Sequence, residues 1–146
     1  MKFVDLLRYV RDGIAGVAET QRIARAQFPS LVRESNLVLW RQGEIAEYPC
    51  RIVLGVAPSY SIPDLELLDI VDRCIAEQPE PKFRVEVFDI IDCPDMASLE
   101  KYIVGITPVF HTPVVGIWKN GELVSKGSGH AGRKLLLAEF QKCTKS

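Results

Sequence analysis

Residues 112–129 read TPVVGIWKNGELVSKGSG, and this stretch decides the fold because it specifies two adjacent strands. The segments VVGIW and ELVSKG lie on either side of Lys119, Asn120 and Gly121. An Asn-Gly pair suits a two-residue type I′ turn, since both central residues of that turn require a positive φ. The stretch therefore predicts a β-hairpin, which is the strongest local prediction in the chain.

The segments before this hairpin alternate between strand and helix patterns. RIVLGVA (51–57) predicts a central strand, because so continuous an apolar run indicates burial on both faces of a sheet. The apolar spacing that begins near Ser61 predicts a helix. FRVEVFDI (83–90) alternates apolar and charged residues, as a strand does, and LVLW (37–40) predicts a short strand further upstream.

Two more helices complete the pattern. Pro94 at a first helical position and Asp95 beside it predict one helix start. AGRKLLLAEFQKC (131–143) predicts a terminal helix whose leucines and Phe140 face inward. The predicted order is an N-terminal helix followed, from RIVLGVA onward, by β-α-β-α-β-β-α, which places the chain in the α/β class.

The first part of the chain predicts an amphipathic helix. Its apolar stripe consists of Phe3, Leu7, Val10, Ile14 and Val17. Gly13 and Gly16 are expected to bend or divide this helix, and Pro29 marks its latest end. We therefore expect an N-terminal helical extension (1–36) ahead of a domain formed by residues 37–146. The extension either packs on its own domain or closes a homo-oligomer with a second copy of the chain.

Composition narrows the class of protein. A chain of 146 residues that is 47% hydrophobic is expected to form one soluble globular domain. Its apolar runs are too short to cross a bilayer and its first residues are interrupted by charges, so we expect a cytoplasmic protein that binds no membrane. Basic residues are not interleaved with an aromatic platform, which argues against a nucleic-acid partner.

Charge and cysteine content add two expectations. Acidic residues concentrate in 64–100 and basic residues in 101–146, which indicates either solvated helix faces or a docking surface for a basic partner. Cysteines stand at 50, 74, 93 and 143, none in a C-x-x-C pair and accompanied by only two histidines. This spacing predicts neither a structural metal site nor a disulfide framework, and it indicates no cofactor.

The order of elements, together with Thr112-Pro113 before the hairpin, resembles the thioredoxin fold. The likeness is clearest over residues 51–142, where TPVVGIWKNGELVSKGSG is similar to the family's strand after its cis-proline, its KNG turn and its late glycine. The resemblance implies a mixed sheet flanked by helices and a cis peptide bond before Pro113.

The family's active-site motif, W-C-G-P-C, is degenerate in this chain. Aligning its proline with Pro63 places Tyr60 at the tryptophan, Ser61 and Asp64 at the two cysteines, and Ile62 at the glycine. The same alignment places Gly55 where the family usually has a buried acid.

Disulfide exchange requires a thiolate, and a hydroxyl has a far higher pKa and forms no comparable bond to sulfur. We therefore expect no oxidoreductase activity from Ser61. As a helix N-cap, Ser61 can accept a backbone N–H bond, and Asp64 in the first turn favours the positive end of the helix dipole.

The resemblance implies a binding function that needs no cysteine. In the family, the residue before the cis-proline offers its backbone to an extended peptide. His111, Thr112 and Pro113 would then form, with the segment Tyr60–Asp64, a surface for a polypeptide partner. The alternative is that the cis bond is inherited only because the fold needs that bend.

A second hypothesis is a thiol-dependent or glutathione-binding enzyme, or a redox sensor. Ser61 at the helix N-terminus could donate to an anion or to the thiolate of glutathione, although no basic residue lies near it in the sequence. Cys93 at a predicted helix start could have a lowered pKa, but Asp92 and Asp95 oppose its thiolate. We expect the non-catalytic binding module instead.

Overall fold

The computed structural model describes residues 1–41, 48–78, 82–93, 95–103, 105–106 and 111–144. The elements in chain order are α1 (Phe3–Asp12), α2 (Val17–Glu34), β1 (Val38–Leu39), β2 (Cys50–Val56), α3 (Ile62–Ala76), β3 (Phe83–Asp89), α4 (Met96–Glu100), β4 (Val114–Lys119), β5 (Glu122–Ser128) and α5 (Gly129–Thr144). Within the described ranges, no helix has both the length and the apolar character needed to cross a membrane.

The five strands form one mixed sheet in the order β1-β3-β2-β4-β5. β1, β3 and β2 run parallel, whereas β4 is antiparallel to β2 and β5 is antiparallel to β4. The register pairs Ile52 of β2 with Val85 of β3 on one side and with Ile117 of β4 on the other. The predicted α/β class is confirmed, and the sheet order is compatible with a thioredoxin-like fold.

The hairpin forms as the sequence predicts. β4 ends at Lys119 and β5 begins at Glu122, so the turn contains only two residues. Asn120 has a φ of 52° and Gly121 a φ of 85°, and a positive φ at both positions defines a type I′ turn.

Alternate residues of the strands face two cores, which explains the continuous apolar run of β2. The larger core lies between the sheet and helices α1, α2, α3 and α5, and it includes Ile52, Leu54, Val87 and Ile117. The smaller core lies on the opposite face and consists of Val53, Phe88, Leu99, Ile103, Ile106 and Val114. A strand buried on both faces needs apolar residues at successive positions.

The N-terminal segment is two helices that precede the sheet. They are divided at Gly13–Gly16, as predicted, and both glycines have positive φ values. Phe3 and Leu6 of α1 are buried in the larger core, and α1 packs against α3. The core therefore includes residues from the first turn of α1 onward.

The turn between α1 and α2 overturns one prediction about the apolar stripe. Ile14 is 92% exposed and Val17 is 77% exposed. The spacing that placed them on the stripe assumed an uninterrupted helix, and the turn at Gly13–Gly16 breaks that phase.

The prediction that Pro29 ends this helical segment is also wrong. α2 continues through Pro29 to Glu34. Leu31 and Val32 in its last turn are buried in the larger core. Their packing keeps the chain helical even though proline removes one backbone hydrogen bond.

Candidate functional site

The site that the sequence predicts begins at the N-terminus of α3. Ser61 has an extended backbone, and its Oγ accepts a hydrogen bond of 3.3 Å from the backbone N–H of Asp64. The predicted N-cap role is confirmed. Tyr60, directly before it, is 58% exposed and adds an aromatic ring to the surface of the protein.

Asp64 has a structural role that sequence reasoning missed. Its side chain is buried, and its Oδ2 accepts a hydrogen bond of 2.9 Å from the backbone N–H of Ala57. Ala57 directly follows β2, so this bond ties the carboxyl end of the strand to the first turn of α3. The short connection between a buried strand and a capped helix is the sequence signal that could have indicated it.

The environment of the Asp64 carboxyl group is unusual for an acid. Burial raises its pKa, while the side chains of Thr112 and Ser61, the Ala57 N–H and the positive charge of Arg133 act in the opposite direction. The Thr112 side chain lies close enough to lower this pKa, but Oδ1 of Asp64 makes no hydrogen bond of good geometry within the described part of the chain. Asp64 is therefore a weaker acid than an exposed aspartate.

The second predicted segment meets the first at this carboxyl group. The Thr112–Pro113 peptide bond is cis, as the resemblance implies. Pro113 is buried, and its carbonyl accepts a hydrogen bond of 2.9 Å from the N–H of Gly129, where α5 begins. Thr112 is only partly buried. The structure thus brings Ser61, Asp64 and Thr112 together.

The remaining predicted residues lie at the edge of this group. His111 and Pro63 are exposed, and Ile62 is partly buried as the first residue of α3. A Cβ built on Gly129 would lie 3.1 Å from the Cβ of His111. His111 therefore packs closely on the backbone at the start of α5.

The fold also brings a basic residue to this site. Nη1 of Arg133 in α5 donates a hydrogen bond of 3.1 Å to the carbonyl oxygen of Pro63, and its charge acts on the Asp64 carboxyl group. The sequence shows no basic residue near Ser61, and the fold supplies one from 70 positions away. Only the packing of α5 beside α3 brings Arg133 and Pro63 together, and no local spacing in the sequence indicates this contact.

An aromatic ring fills the space beside Gly55, the position where the family usually has a buried acid. A Cβ built on Gly55 would lie 2.5 Å from Cζ of Phe88, because the Phe88 ring lies against the glycine backbone. The space beside Gly55 is therefore filled, and an acidic side chain at this position would displace the ring.

Cys93 lies outside this site. It caps the C-terminal end of a 3₁₀ turn (Ile90–Asp92), while α4 begins only at Met96 with Asp95 as its N-cap. The prediction that Asp95 lies within that helix is therefore corrected by one position, and Pro94 lies outside the described residues.

The environment of Cys93 keeps its thiol protonated at neutral pH. Burial raises the pKa of the thiol, a hydrogen bond with Tyr102 lowers it and neighbouring acidic groups raise it, and together they bring it to about 11. Cys74 is also a free thiol, Cys50 is buried, and the side chain of Cys143 lies outside the described residues.

Comparison with known proteins adds no family assignment. Neither the models of known protein families nor the sequences of curated proteins match this chain. Fold and site together define an α/β protein with a mixed five-stranded sheet, flanking helices and a capped helix N-terminus facing a cis-proline.

Proposed function

We propose that this chain is a non-catalytic member of the thioredoxin-like superfamily that binds an extended segment of a polypeptide partner. Its binding surface consists of His111, Thr112 and Pro113 together with the segment Tyr60–Asp64. The observation that carries the proposal is the meeting of Ser61 and Thr112 at the buried carboxyl group of Asp64. The strand order, which is compatible with a thioredoxin-like fold, supports it.

The chemistry of this surface favours holding over reduction. Ser61 and Asp64 present oxygen atoms where disulfide exchange needs two sulfurs. Both side chains stabilise the fold, since Ser61 caps α3 and Asp64 accepts a hydrogen bond from the backbone of Ala57. Neither can act as a thiol nucleophile.

Thr112 supplies the features that peptide capture requires. Among the described residues, its backbone N–H and carbonyl make no hydrogen bond, and its side chain is only partly buried. Main-chain groups of this kind can pair with an extended peptide as an added strand does. Tyr60 and His111, both exposed, offer aromatic contacts to the side chains of such a peptide.

The proposal predicts that Thr112→Arg weakens peptide binding by at least about tenfold while the fold stays intact. The longer side chain would cover the binding surface, and its guanidinium would meet the Asp64 carboxyl group. Peptides selected from a phage-displayed random library against the unaltered protein serve as probes, and their affinities are measured by calorimetry. Ser30→Arg, at an exposed site on α2, is the matched control and should leave binding unchanged.

A companion variant separates binding from thiol chemistry. Replacing all four cysteines with serine should preserve peptide affinity, and neither protein should reduce insulin disulfides. Unaltered binding in Thr112→Arg would remove this surface from consideration. If Cys93→Ser alone abolished peptide binding, or if the unaltered protein reduced insulin disulfides and Cys93→Ser did not, the thiol-dependent alternative would be favoured instead.

The alternative enzyme or sensor, using Ser61 with glutathione or Cys93 as a redox thiol, has one observation in its favour. Arg133 provides a positive charge near the N-terminus of α3, where an anion would bind. Against it, Asp64 fills the same helix turn, and the raised pKa of Cys93 disfavours its thiolate. The binding module therefore remains the proposed function.

A second copy of the chain is proposed as a further partner, through the turn between α1 and α2. The exposure of Ile14 and Val17 supports this contact, since neither side chain is covered by its own chain. Light scattering coupled to gel filtration should give twice the chain mass, and the double variant Ile14→Asp, Val17→Asp should give a monomer. Val124→Asp, at another exposed valine, should remain dimeric. A monomeric unaltered protein would rule the contact out.

A further inference from the structure

A cleft with a volume of about 320 Å³ lies between α2 and the carboxyl ends of β1 and β3. Arg25 and Arg33 of α2 line one side, and Trp40, Arg41 and Tyr102 line the other. None of these residues belongs to the surface at Thr112. In α/β proteins the carboxyl ends of parallel strands are the usual position of ligand sites.

One wall of this cleft is aromatic. The ring centroids of Trp40 and Tyr102 lie 4.0 Å apart with their planes tilted by 38°. Tyr102 in turn stacks on Phe88, with centroids 3.9 Å apart. Phe88 fixes the position of this wall from the buried side, while Trp40 and Tyr102 are only partly buried. Such a wall offers an apolar face to a planar ring.

The positive charge of the cleft favours binding of an anion. Three guanidinium groups line the cleft, and Arg25 forms an ion pair of 2.9 Å with Asp92. Arg33 and Arg41 form no ion pair with any residue that the structure describes. Guanidinium groups bind carboxylate and phosphate oxygens through two parallel hydrogen bonds, so two arginines that line one cleft are suited to either group.

The acidic residues of the cleft do not cancel this charge. Asp92 is committed to Arg25. Asp89, at the end of β3, is buried, and its Oδ1 accepts a hydrogen bond of 3.1 Å from the backbone N–H of Ile91. Three arginines therefore line the cleft against two aspartates, which leaves an excess of positive charge among the described lining residues.

We propose that this cleft binds a small planar anion, a ring that carries a phosphate or a carboxylate group. The ring packs on Trp40, which Tyr102 and Phe88 hold in position, and the anionic group binds Arg33 and Arg41. The two parts of the site are independent, so neither the anion alone nor the ring alone should bind well. The proposal does not depend on the peptide surface at Thr112.

The experiment uses the fluorescence of Trp40. The chain has two tryptophans, so Trp118→Phe leaves Trp40 as the only one. Adenosine 5′-monophosphate and phenyl phosphate should quench this fluorescence saturably. Inorganic phosphate and adenosine, which each carry one half of the ligand, should bind at least about tenfold more weakly. If circular dichroism shows that Trp118→Phe is unfolded, calorimetry on the unaltered protein replaces the fluorescence titration.

Two variants decide which residues act. Arg33→Gln combined with Arg41→Gln should weaken binding of phenyl phosphate at least about tenfold. Arg8→Gln, which removes an exposed arginine from α1, is the matched control and should bind as the unaltered protein does. Inorganic phosphate binding as tightly as phenyl phosphate, no saturable binding of either aryl or nucleotide probe, or equal affinity in the double variant would each overturn the proposal.

Discussion

Replacing Glu86 with alanine should lower the free energy of unfolding by about 3–5 kcal/mol, the range for losing one partner of a buried ion pair. Glu86 lies in the middle of β3 and is only 1% exposed. Its Oε1 accepts a hydrogen bond of 3.0 Å from Nη2 of Arg51, and its Oε2 lies 3.5 Å from Nε of Arg84. Both guanidinium groups are largely buried, so alanine removes the carboxylate that they share.

Urea denaturation measures this cost. Glu86→Gln keeps the shape of the side chain and should cost less, because its amide oxygen can still accept one hydrogen bond. The double variant Arg51→Met, Glu86→Leu should be more stable than Glu86→Ala, since it removes a charge together with its counter-charge. Glu122→Ala, at an exposed position of β5, should change the unfolding free energy by less than about 0.5 kcal/mol. A cost for Glu86→Ala no greater than that of Glu122→Ala would contradict the prediction.

The ion pair of Arg51 and Glu86 lies on the sheet face opposite the larger core, where an aromatic ring packs over it. Arg51 and Glu86 face away from the larger core, and the Arg51 guanidinium lies 5.2 Å from the centre of the Trp118 ring. A Cβ built on Gly116 would lie within 2.7 Å of that ring. Glycine therefore lets Trp118 lie flat over β4, where it covers part of the ion pair.

Local patterns in the sequence predicted the elements whose cause is local. The hairpin was predictable because the Asn120-Gly121 pair alone specifies its turn. The Ser61 cap was predictable because its partner lies three residues away. The exposure of Ile14 was not predicted by helical spacing, because this residue lies in the turn between α1 and α2, where that spacing does not apply.

The contacts that assemble the site depend on topology. Asp64 reaches Ala57 across the connection from β2 to α3, and Thr112 reaches Asp64 only because β4 pairs with β2. Arg133 reaches Pro63 only because α5 packs beside α3. Trp40 and Tyr102 lie 62 positions apart in the sequence and meet where β1 pairs with β3. A single sequence shows none of these pairings.

Removal of the Asp64 carboxylate should have the second large effect on stability. Asp64→Ala should lower the free energy of unfolding by about 2–3 kcal/mol, because the buried N–H of Ala57 loses its acceptor. Asp64→Asn keeps an oxygen in the same place and should cost much less. Glu66→Gln, at an exposed position on the same helix, is the matched control and should change the unfolding free energy by less than about 0.5 kcal/mol.

The pH dependence of Asp64→Asn tests the buried carboxyl group directly. Burial raises the pKa of Asp64 above its ordinary value of 3.8, so between the two values the folded state binds more protons than the unfolded state. The contribution of this group to stability therefore falls as the pH rises through that window and stays lower at neutral pH. Asparagine does not titrate, so the stability of Asp64→Asn relative to the unaltered protein should rise from about pH 4 to about pH 7 in urea denaturation. A difference that is constant, or that falls with pH, would show that the carboxyl group is as acidic in the folded state as in the unfolded chain.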